Sequence, residues 1–577
     1  MKTEIKQIQQ IVSLLKQFNV RHIVLSPGTR HVPLVHIVES DDFFHCYSIV
    51  DERSAAYFAL GLSEAINEPV AFSCTSATAS CNYMPAMKEA FERNIQLIAL
   101  TADKQRYLRF HGASQVINQV DMYKPFCKYS IDLPVIKNSS DEWYSNRCIN
   151  EALLELNHHG KGPVQINFLE PADINELASF KSGDMPVCRK ISRIDNWNNL
   201  PKWKSELVSK KRILVICGQY IDTDCRLKNG LERFSERYNC VITYDNFSNV
   251  THEKFIPSTL LSTVLNRQEV KKLMPDLIIS YGSKSFACLI DNFKDYGVEH
   301  WDINPEGRLL DASHSLSRIF ECTLEDFFDN ITDTNNKSNN EYRLEWLNSL
   351  SLRNIDIAGF TNFYAVNKVL NALPSGSNVH ASVLNSMKFT NLSTLPDHTL
   401  ATGNICTDGI DGALSTFIGQ SQCFDGLSLL VIGDLSYLYD LNASITKFGS
   451  NVRILLINNY AGGEFHFNIS KQKIASLDKH IAAGHHTQIA DTLNLTNLNY
   501  LSARNKEELN NLLPSFLESS DVPILLEVFT DADNDGKALR AIFNSNRQVT
   551  LVNRISKLLS SIFGARVKNL IKEKIYG

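Results

Sequence analysis

Two side chains bearing hard oxygen atoms close two apolar runs. Asp434 ends "LSLLVIGD" (427–434) after Gly433, and Asn459 ends "RILLINN" (453–459). Open parallel sheets bind ligands at the carboxyl ends of their strands, so both residues can reach one ledge. A carboxylate, an amide carbonyl and the backbone carbonyl of Ala461 would give three oxygen ligands. Mg²⁺ takes near-octahedral oxygen ligands and commonly shares them with a diphosphate and water. Taken alone the pair is a weak signal, because loop Asp and Asn usually serve as caps or turn residues. A second stretch, "CTSATASCNYMPAMKEAF" (74–91), starts as a buried strand and turns small and polar before a helix pattern begins. Small residues at a strand-to-helix junction leave room for a ligand against the backbone. Glu52, in "IVDERSAAYFALGLSEA" (49–65), sits at another such junction, where the helix dipole alone would favour a carboxylate.

The elements that must position these residues are legible as repeats of strand and helix. Apolar strands appear at 22–28, 70–76, 95–103 and 163–169, then at 212–218, 240–246, 276–282 and 300–304, and again at 377–382, 427–434, 453–459 and 523–529. Continuous apolar strands alternating with amphipathic helices predict α/β architecture, with doubly wound parallel sheets covered on both faces. A chain of 577 residues exceeds one core. Polar, Pro-bearing sequence at 171–205 and the Asn-rich "DNITDTNNKSNNEY" (329–342) separate the groups. The expected organisation is 1–180, 200–328 and 345–545, followed by a tail at 546–577.

Bulk properties narrow the function. A net charge of −5 argues against a general nucleic-acid binder. No apolar run approaches the ~20 residues of a membrane span. The N-terminus has helical spacing at Ile5, Ile8, Ile11, Val12 and Leu15, without a secretory pattern. Thirteen scattered cysteines contain no C-x-x-C pair, which predicts a cytoplasmic protein with reduced thiols. From Arg547 to Gly577 seven Lys/Arg face one acid, Glu573. Apolar residues such as Val552, Ile555, Leu559 and Ile562 give this tail a helical stripe. It reads as a helix packing on its own protein or a subunit neighbour, or else docking on a membrane surface or partner. "DADNDG" (531–536) imitates the start of a calcium loop, but its twelfth position is Ile542; a polar turn before a helix is expected.

The Asp434–Asn459 spacing resembles the metal-binding motif of thiamine-diphosphate (ThDP) enzymes. That family has a pyrimidine-binding, a central and a diphosphate-binding module, in the order seen here. "LSPGTRHVPL" (25–34), "DERSAAYFALGL" (51–62), "CTSATASCNYMPA" (74–86), "LTADKQRYLRFHGASQ" (100–115), "GIDGALST" (409–416) and "GDLSYLYDLN" (433–442) together resemble one branch. It is the 2-succinyl-5-enolpyruvyl-6-hydroxy-3-cyclohexene-1-carboxylate (SEPHCHC) synthases of menaquinone biosynthesis, and the similarity runs from about residue 5 to about 545. The resemblance implies ThDP and Mg²⁺ as cofactors and decarboxylation of a 2-oxo acid followed by acyl transfer to an acceptor. It implies that Glu52 hydrogen-bonds the aminopyrimidine and promotes proton removal, with Thr75, Ser76 and Asn82 beside it. It implies Ile410 as the brace of the cofactor's bent shape, and Gly433, Asp434, Leu435, Ser436, Asn459 and Phe465 around the diphosphate. Asp434, Asn459 and Ala461 are the implied metal ligands. Thr29, Arg30, His31, Lys104, His111, Gln115, Asn385 and Ser386 are the implied substrate residues. It also implies a homodimer or homotetramer with sites between subunits.

Against that pattern the acid-binding set is thinned. Arg30 and Gln115 are kept. Lys104 stands where the family has arginine, with Arg106 and Arg109 close by. Thr390, Ile405, Cys288 and Leu289 occupy other basic positions, with Lys388 and Lys284 nearby, and His31 replaces a small polar residue. Each lost partner of a buried charge pair costs about 2–5 kcal/mol, roughly 30- to 4000-fold in binding. The expectation is therefore ThDP chemistry, with four readings open. They are SEPHCHC synthesis, carboligation to another acceptor such as an activated sugar, simple decarboxylation, and a catalytically silent subunit. His485–His486 is expected at the surface.

Overall fold

The computed structural model describes residues 3–169, 186–222, 225–282, 289–332, 338–469, 474–495 and 497–547. The tail from 548 onward, Lys284, Cys288 and the centre of the Asn-rich linker lie outside them. The chain divides into two compact units, one of 1–195 with 307–319 and one of 196–306 with 320–577.

The first unit is built on strands β1 (His22–Leu25), β2 (His45–Ser48), β3 (Val70–Cys74), β4 (Leu97–Asp103), β5 (Tyr129–Asp132) and β6 (Val164–Leu169). They lie in the order β2-β1-β3-β4-β6-β5, every pair parallel. The residues of β3, β4 and β6 are buried throughout, as strands covered on both faces must be. One face packs on Ile8, Ile11, Val12 and Leu15 of the helix Thr3–Gln17, the spacing read from the sequence. The other packs on Ala55, Ala56 and Ala59 of the helix Glu52–Ile66 and on Met87 and Ala90 of the helix Met84–Glu92. The segment 307–319 joins this unit through Leu309, Leu316 and Ile319 around Ile191.

The second unit holds two sheets. In the first, β7 (Ile213–Cys217), β8 (Cys240–Tyr244), β9 (Ile256–Pro257), β10 (Leu277–Tyr281) and β11 (Glu299–Ile303) run β9-β8-β7-β10-β11. In the next, β12 (Asn378–Ala381), β13 (Leu400–Gly403), β14 (Ser428–Gly433), β15 (Val452–Asn458), β16 (Asn499–Ala503) and β17 (Ile524–Phe529) run β13-β12-β14-β15-β17-β16, again all parallel. This last order repeats that of the first unit strand for strand. The three parallel α/β sheets expected from the sequence are therefore present. The twelve cysteines among the described residues are free thiols, and no helix among them is long and apolar enough to cross a membrane.

Candidate functional site

Within each unit, the candidate residues gather at the carboxyl ends of strands. In the second unit β14 ends at Gly433, which is extended (φ −86°, ψ 160°) and starts the short helix Asp434–Tyr439. Asp434 is 3% exposed. Its Oδ1 accepts from the backbone N–H of Leu435 at 2.7 Å, and its Oδ2 accepts from that of Asn459 at 3.1 Å. Two neighbouring strand ends are thus tied together through the carboxylate. The basic group facing it among the described residues is His485, whose Nε2 lies 3.3 Å from Oδ2. His486 is exposed as expected but His485 is half-buried, a correction to the surface expectation for the pair. The loop returns because the N–H of His485 donates to the carbonyl of Tyr460, and that of Gly462 to Ala482.

Asn459 is 9% exposed, and its Nδ2 donates to Asp535 Oδ2 at 3.2 Å. Ala461 is buried, and Phe465 is exposed on the helix Gly463–Asn468. Ser436 Oγ donates to the carbonyl of Ile410 at 2.6 Å, binding the "GIDG" loop to the helix Asp434–Tyr439. Asn385 and Ser386 begin the helix Asn385–Leu392, entered through Leu384 at φ 62°, ψ −113°. A non-glycine residue there is strained by about 1–3 kcal/mol, the kind of cost found at functional turns. With its amide turned to suit its partners, Asn385 donates to Glu464 Oε2 and accepts from the Glu464 N–H.

These groups fit a hard cation. Asp434 and Asn459 offer oxygen donors from adjacent strand ends, and the buried carboxylate has a histidine rather than a lysine or arginine beside it.

In the first unit, Glu52 opens the helix Glu52–Ile66 behind the N-cap Asp51, whose side chain accepts from the Ser54 N–H at 3.1 Å. Glu52 is half-exposed; Asn82 Nδ2 lies 3.5 Å from its Oε2. After β3, Thr75 is half-buried and Ser76 buried, and Ala77 enters the next helix at φ 69°, ψ −121°, a second strained non-glycine turn. Ser76 Oγ donates to the carbonyl of Gln115 at 2.9 Å, Arg30 Nη2 approaches Gln115 Oε1 at 3.4 Å, and Lys104 Nζ donates to the carbonyl of Ser114 at 2.7 Å. Arg30, Ser76, Lys104 and Gln115 therefore converge on one turn. Thr29 and His111 are exposed.

Other expectations are corrected. His31 is 1% exposed, its Nδ1 is 2.9 Å from Ser73 Oγ, and burial pushes its pKa down to about 4; it is a neutral interior group, not a substrate contact. Arg109 pairs with the fully buried Asp103 at 2.6 Å, and Arg106 with Asp132 at 3.0 Å, so both guanidinium groups are engaged by internal acids. Lys388 is buried against Glu464 at 2.8 Å and over the Phe467 ring. Thr390 and Ile405 are buried. Asp535 was missed by sequence reasoning. It is 2% exposed, with Oδ1 accepting from the Asn362 N–H at 2.9 Å and Oδ2 from Thr530 Oγ1 at 2.7 Å. Burial pushes its pKa up to about 6, against the opposing pull of these donors.

Comparison with known proteins agrees with this arrangement. Residues 5–122 match the family model "Thiamine pyrophosphate enzyme, N-terminal TPP binding domain". The SEPHCHC synthase of Bacteroides fragilis is 31% identical over 559 residues, covering 93% of this chain and 98% of that protein. That of Bacteroides thetaiotaomicron is 30% identical over 562 residues, covering 94% and 99%. That of Flavobacterium johnsoniae is 29% identical over 553 residues, covering 93% and 98%. With near-complete coverage on both sides and the ThDP-type strand-end residues in order, this chain belongs to the 2-succinyl-5-enolpyruvyl-6-hydroxy-3-cyclohexene-1-carboxylate synthase family.

Proposed function

We propose that this protein is a ThDP- and Mg²⁺-dependent carboligase that decarboxylates 2-oxoglutarate and transfers the remaining four-carbon acyl unit to isochorismate. The observation that carries the reading is the buried Asp434–Asn459 pair at adjacent strand ends, in a chain matching SEPHCHC synthases along their length. When bound, ThDP supplies a nucleophilic carbon that holds the electron pair released with CO₂ and delivers the acyl unit to the acceptor.

The chain's own residues supply the rest. Asp434, Asn459 and the Ala461 carbonyl would hold Mg²⁺, a cation that complements a diphosphate's charge. Ile410 braces the cofactor, and Gly433, Leu435, Ser436 and Phe465 line its diphosphate half. Glu52 would hold the proton shared with the pyrimidine ring, with Asn82 beside its carboxylate and Thr75 and Ser76 leaving space. Arg30, Lys104 and Gln115, already joined around one turn, bind a substrate carboxylate, since a guanidinium fork and an ammonium both complement that charge. Thr29, His111, Asn385 and Ser386 complete the substrate contacts.

We further propose that the active form is a homodimer or homotetramer in the cytoplasm. Tyr57, Phe58, Met84 and Phe91 are exposed on the helices that carry Glu52 and follow Asn82, large apolar side chains available to a second subunit. The modules 1–180, 200–328 and 345–545 serve as pyrimidine-binding, central and diphosphate-binding parts.

The test is CO₂ release by ThDP/Mg²⁺-loaded protein with 2-oxoglutarate, with and without isochorismate. Turnover that requires both substrates supports the reading. Consumption of a different 2-oxo acid, or turnover indifferent to isochorismate, overturns it in favour of a redirected carboligase or a decarboxylase.

A further inference from the structure

The first turns of the helix Ala532–Asn546 fasten it to the segment carrying Asn459. Gly536 lies where a Cβ would stand 2.8 Å from the carbonyl oxygen of His466, so only glycine permits this approach. Asp533 Oδ1 is 2.8 Å from His466 Nδ1, and Arg540 donates to the carbonyls of His466 and Phe467 at 2.6 and 2.7 Å. Positions 533, 536 and 540 are one helical stripe. Docking on that stripe carries Asp535 beneath Asn459.

The consequence concerns an amide, whose two ends are similar in shape and opposite in chemistry. The oxygen can ligate a cation; the NH₂ group repels one. Asp535 Oδ2 takes the Nδ2 of Asn459 at 3.2 Å and holds the hydroxyl of Thr530 at 2.7 Å, while its Oδ1 is fixed by the Asn362 N–H. An ionised carboxylate accepts and cannot donate, so it selects the NH₂ end. Amide geometry then turns Oδ1 of Asn459 away from Asp535. Gly463 leaves this amide its place: a Cβ there would lie 2.6 Å from the same Nδ2.

We propose that Asp535 is a positioning residue for the metal site, fixing the Asn459 amide so that its oxygen, and never its nitrogen, is offered as ligand. The proposal rests on the Asp434–Asn459 metal reading above. Partners outside the ligand set that orient a ligand typically change metal affinity 10- to 100-fold when removed. Asp535→Asn keeps the shape but can present either a donor or an acceptor, so the selection is lost.

The experiment titrates Mn²⁺ into full-length protein with ThDP at pH 8 and reads free Mn²⁺ by electron paramagnetic resonance, alongside the thermal midpoint of the metal-free protein. Wild type is expected to bind ThDP-dependent Mn²⁺. Asp535→Asn should weaken it at least tenfold, with the metal-free midpoint changed little. Adding Asn459→Asp to Asp535→Asn should restore most of the affinity, because a carboxylate offers oxygen in either rotation. Asn459→Asp alone, which sets two buried carboxylates in contact, should not improve binding. Thr530→Val, a milder change, should weaken Mn²⁺ binding two- to fivefold and decides the matter if Asp535→Asn does not fold. Unchanged affinity in a folded Asp535→Asn protein, or in Thr530→Val when that is the deciding variant, overturns the proposal. So does weakened affinity that Asn459→Asp fails to restore. Absence of ThDP-dependent Mn²⁺ binding in wild type instead overturns the metal reading itself.

Discussion

The first and last sheets share one strand order, yet they prepare their candidate residues differently. In the last sheet Asp434 and Asn459 are buried and interlocked with each other, His485 and Asp535 before any ligand is considered. In the first, Glu52 is half-exposed with a single amide at 3.5 Å, and Arg30, Lys104 and Gln115 meet at a surface turn. A fixed cation demands ligands held in advance, because Mg²⁺ tolerates little departure from octahedral geometry. A proton-exchanging carboxylate gains its working environment when cofactor and cover arrive. The same topology thus serves a rigid site and an unfinished one.

That comparison can be broken in measurable ways. The largest expected effect is at the unfinished end. Glu52→Gln should lower kcat by about 1000-fold in the two-substrate assay, while the thermal shift produced by ThDP and Mg²⁺ is kept. A lost thermal shift would mean Glu52 is as structural as Asp434.

Next comes acidity, which the two modules should feel alike. His31 in the first and His380 in the last are both buried, and burial pushes each pKa down to about 4. The unfolded chain takes up protons near pH 6.5 and the folded chain does not until about 4. Stability therefore falls as pH drops through that window and its dependence levels off below it, by about 3 kcal/mol per histidine at most. Urea midpoints between pH 7 and 4 for His31→Gln and His380→Gln should each show a shallower slope than wild type.

Asp434→Asn should weaken ThDP-dependent metal binding about 100-fold, as one charged ligand becomes neutral, and should lower the metal-free midpoint as well, because an amide cannot accept from both the Leu435 and Asn459 N–H groups. Calorimetric titration of Mg²⁺ reads the first, and a thermal scan the second. The smallest effect is at Gly463→Ala, whose Cβ would press on the Asn459 Nδ2. It should cost about 1–3 kcal/mol of stability in a urea titration.

What the sequence made legible follows burial. The twelve apolar runs correspond to interior strands, such as Val70–Cys74 and Val452–Asn458, buried at every residue. In the first and last sheets the strands that escaped notice are edges: His45–Ser48, Tyr129–Asp132, Leu400–Gly403 and Asn499–Ala503. An edge strand is half wet and short, so it carries no continuous apolar signature. The site divided along similar lines. Asp434, Asn459 and Glu52 announced themselves by standing at strand ends. Arg106 and Arg109 looked like substrate cations, because no pattern in one dimension reveals that Asp132 and Asp103 await them. Asp535 was hidden inside a polar hexapeptide whose sidedness depends on docking. Its one clue was the neighbouring Gly536: glycine weakens a helix by about 1 kcal/mol against alanine and is retained where another backbone must come close.

The hydrogen bond between Asn459 and Asp535 spans 76 residues of chain. At translation rates of about 5–20 residues per second, Asn459 leaves the peptidyl-transfer centre roughly 4–15 s before Asp535 is added. Through that interval the strand Ile524–Phe529, interior to its sheet, is missing as well. On the metal-site proposal above, the nascent chain carries Asp434 and Asn459 before the residue proposed to orient the Asn459 amide, and cofactor capture is expected only once this closing strand and helix have emerged.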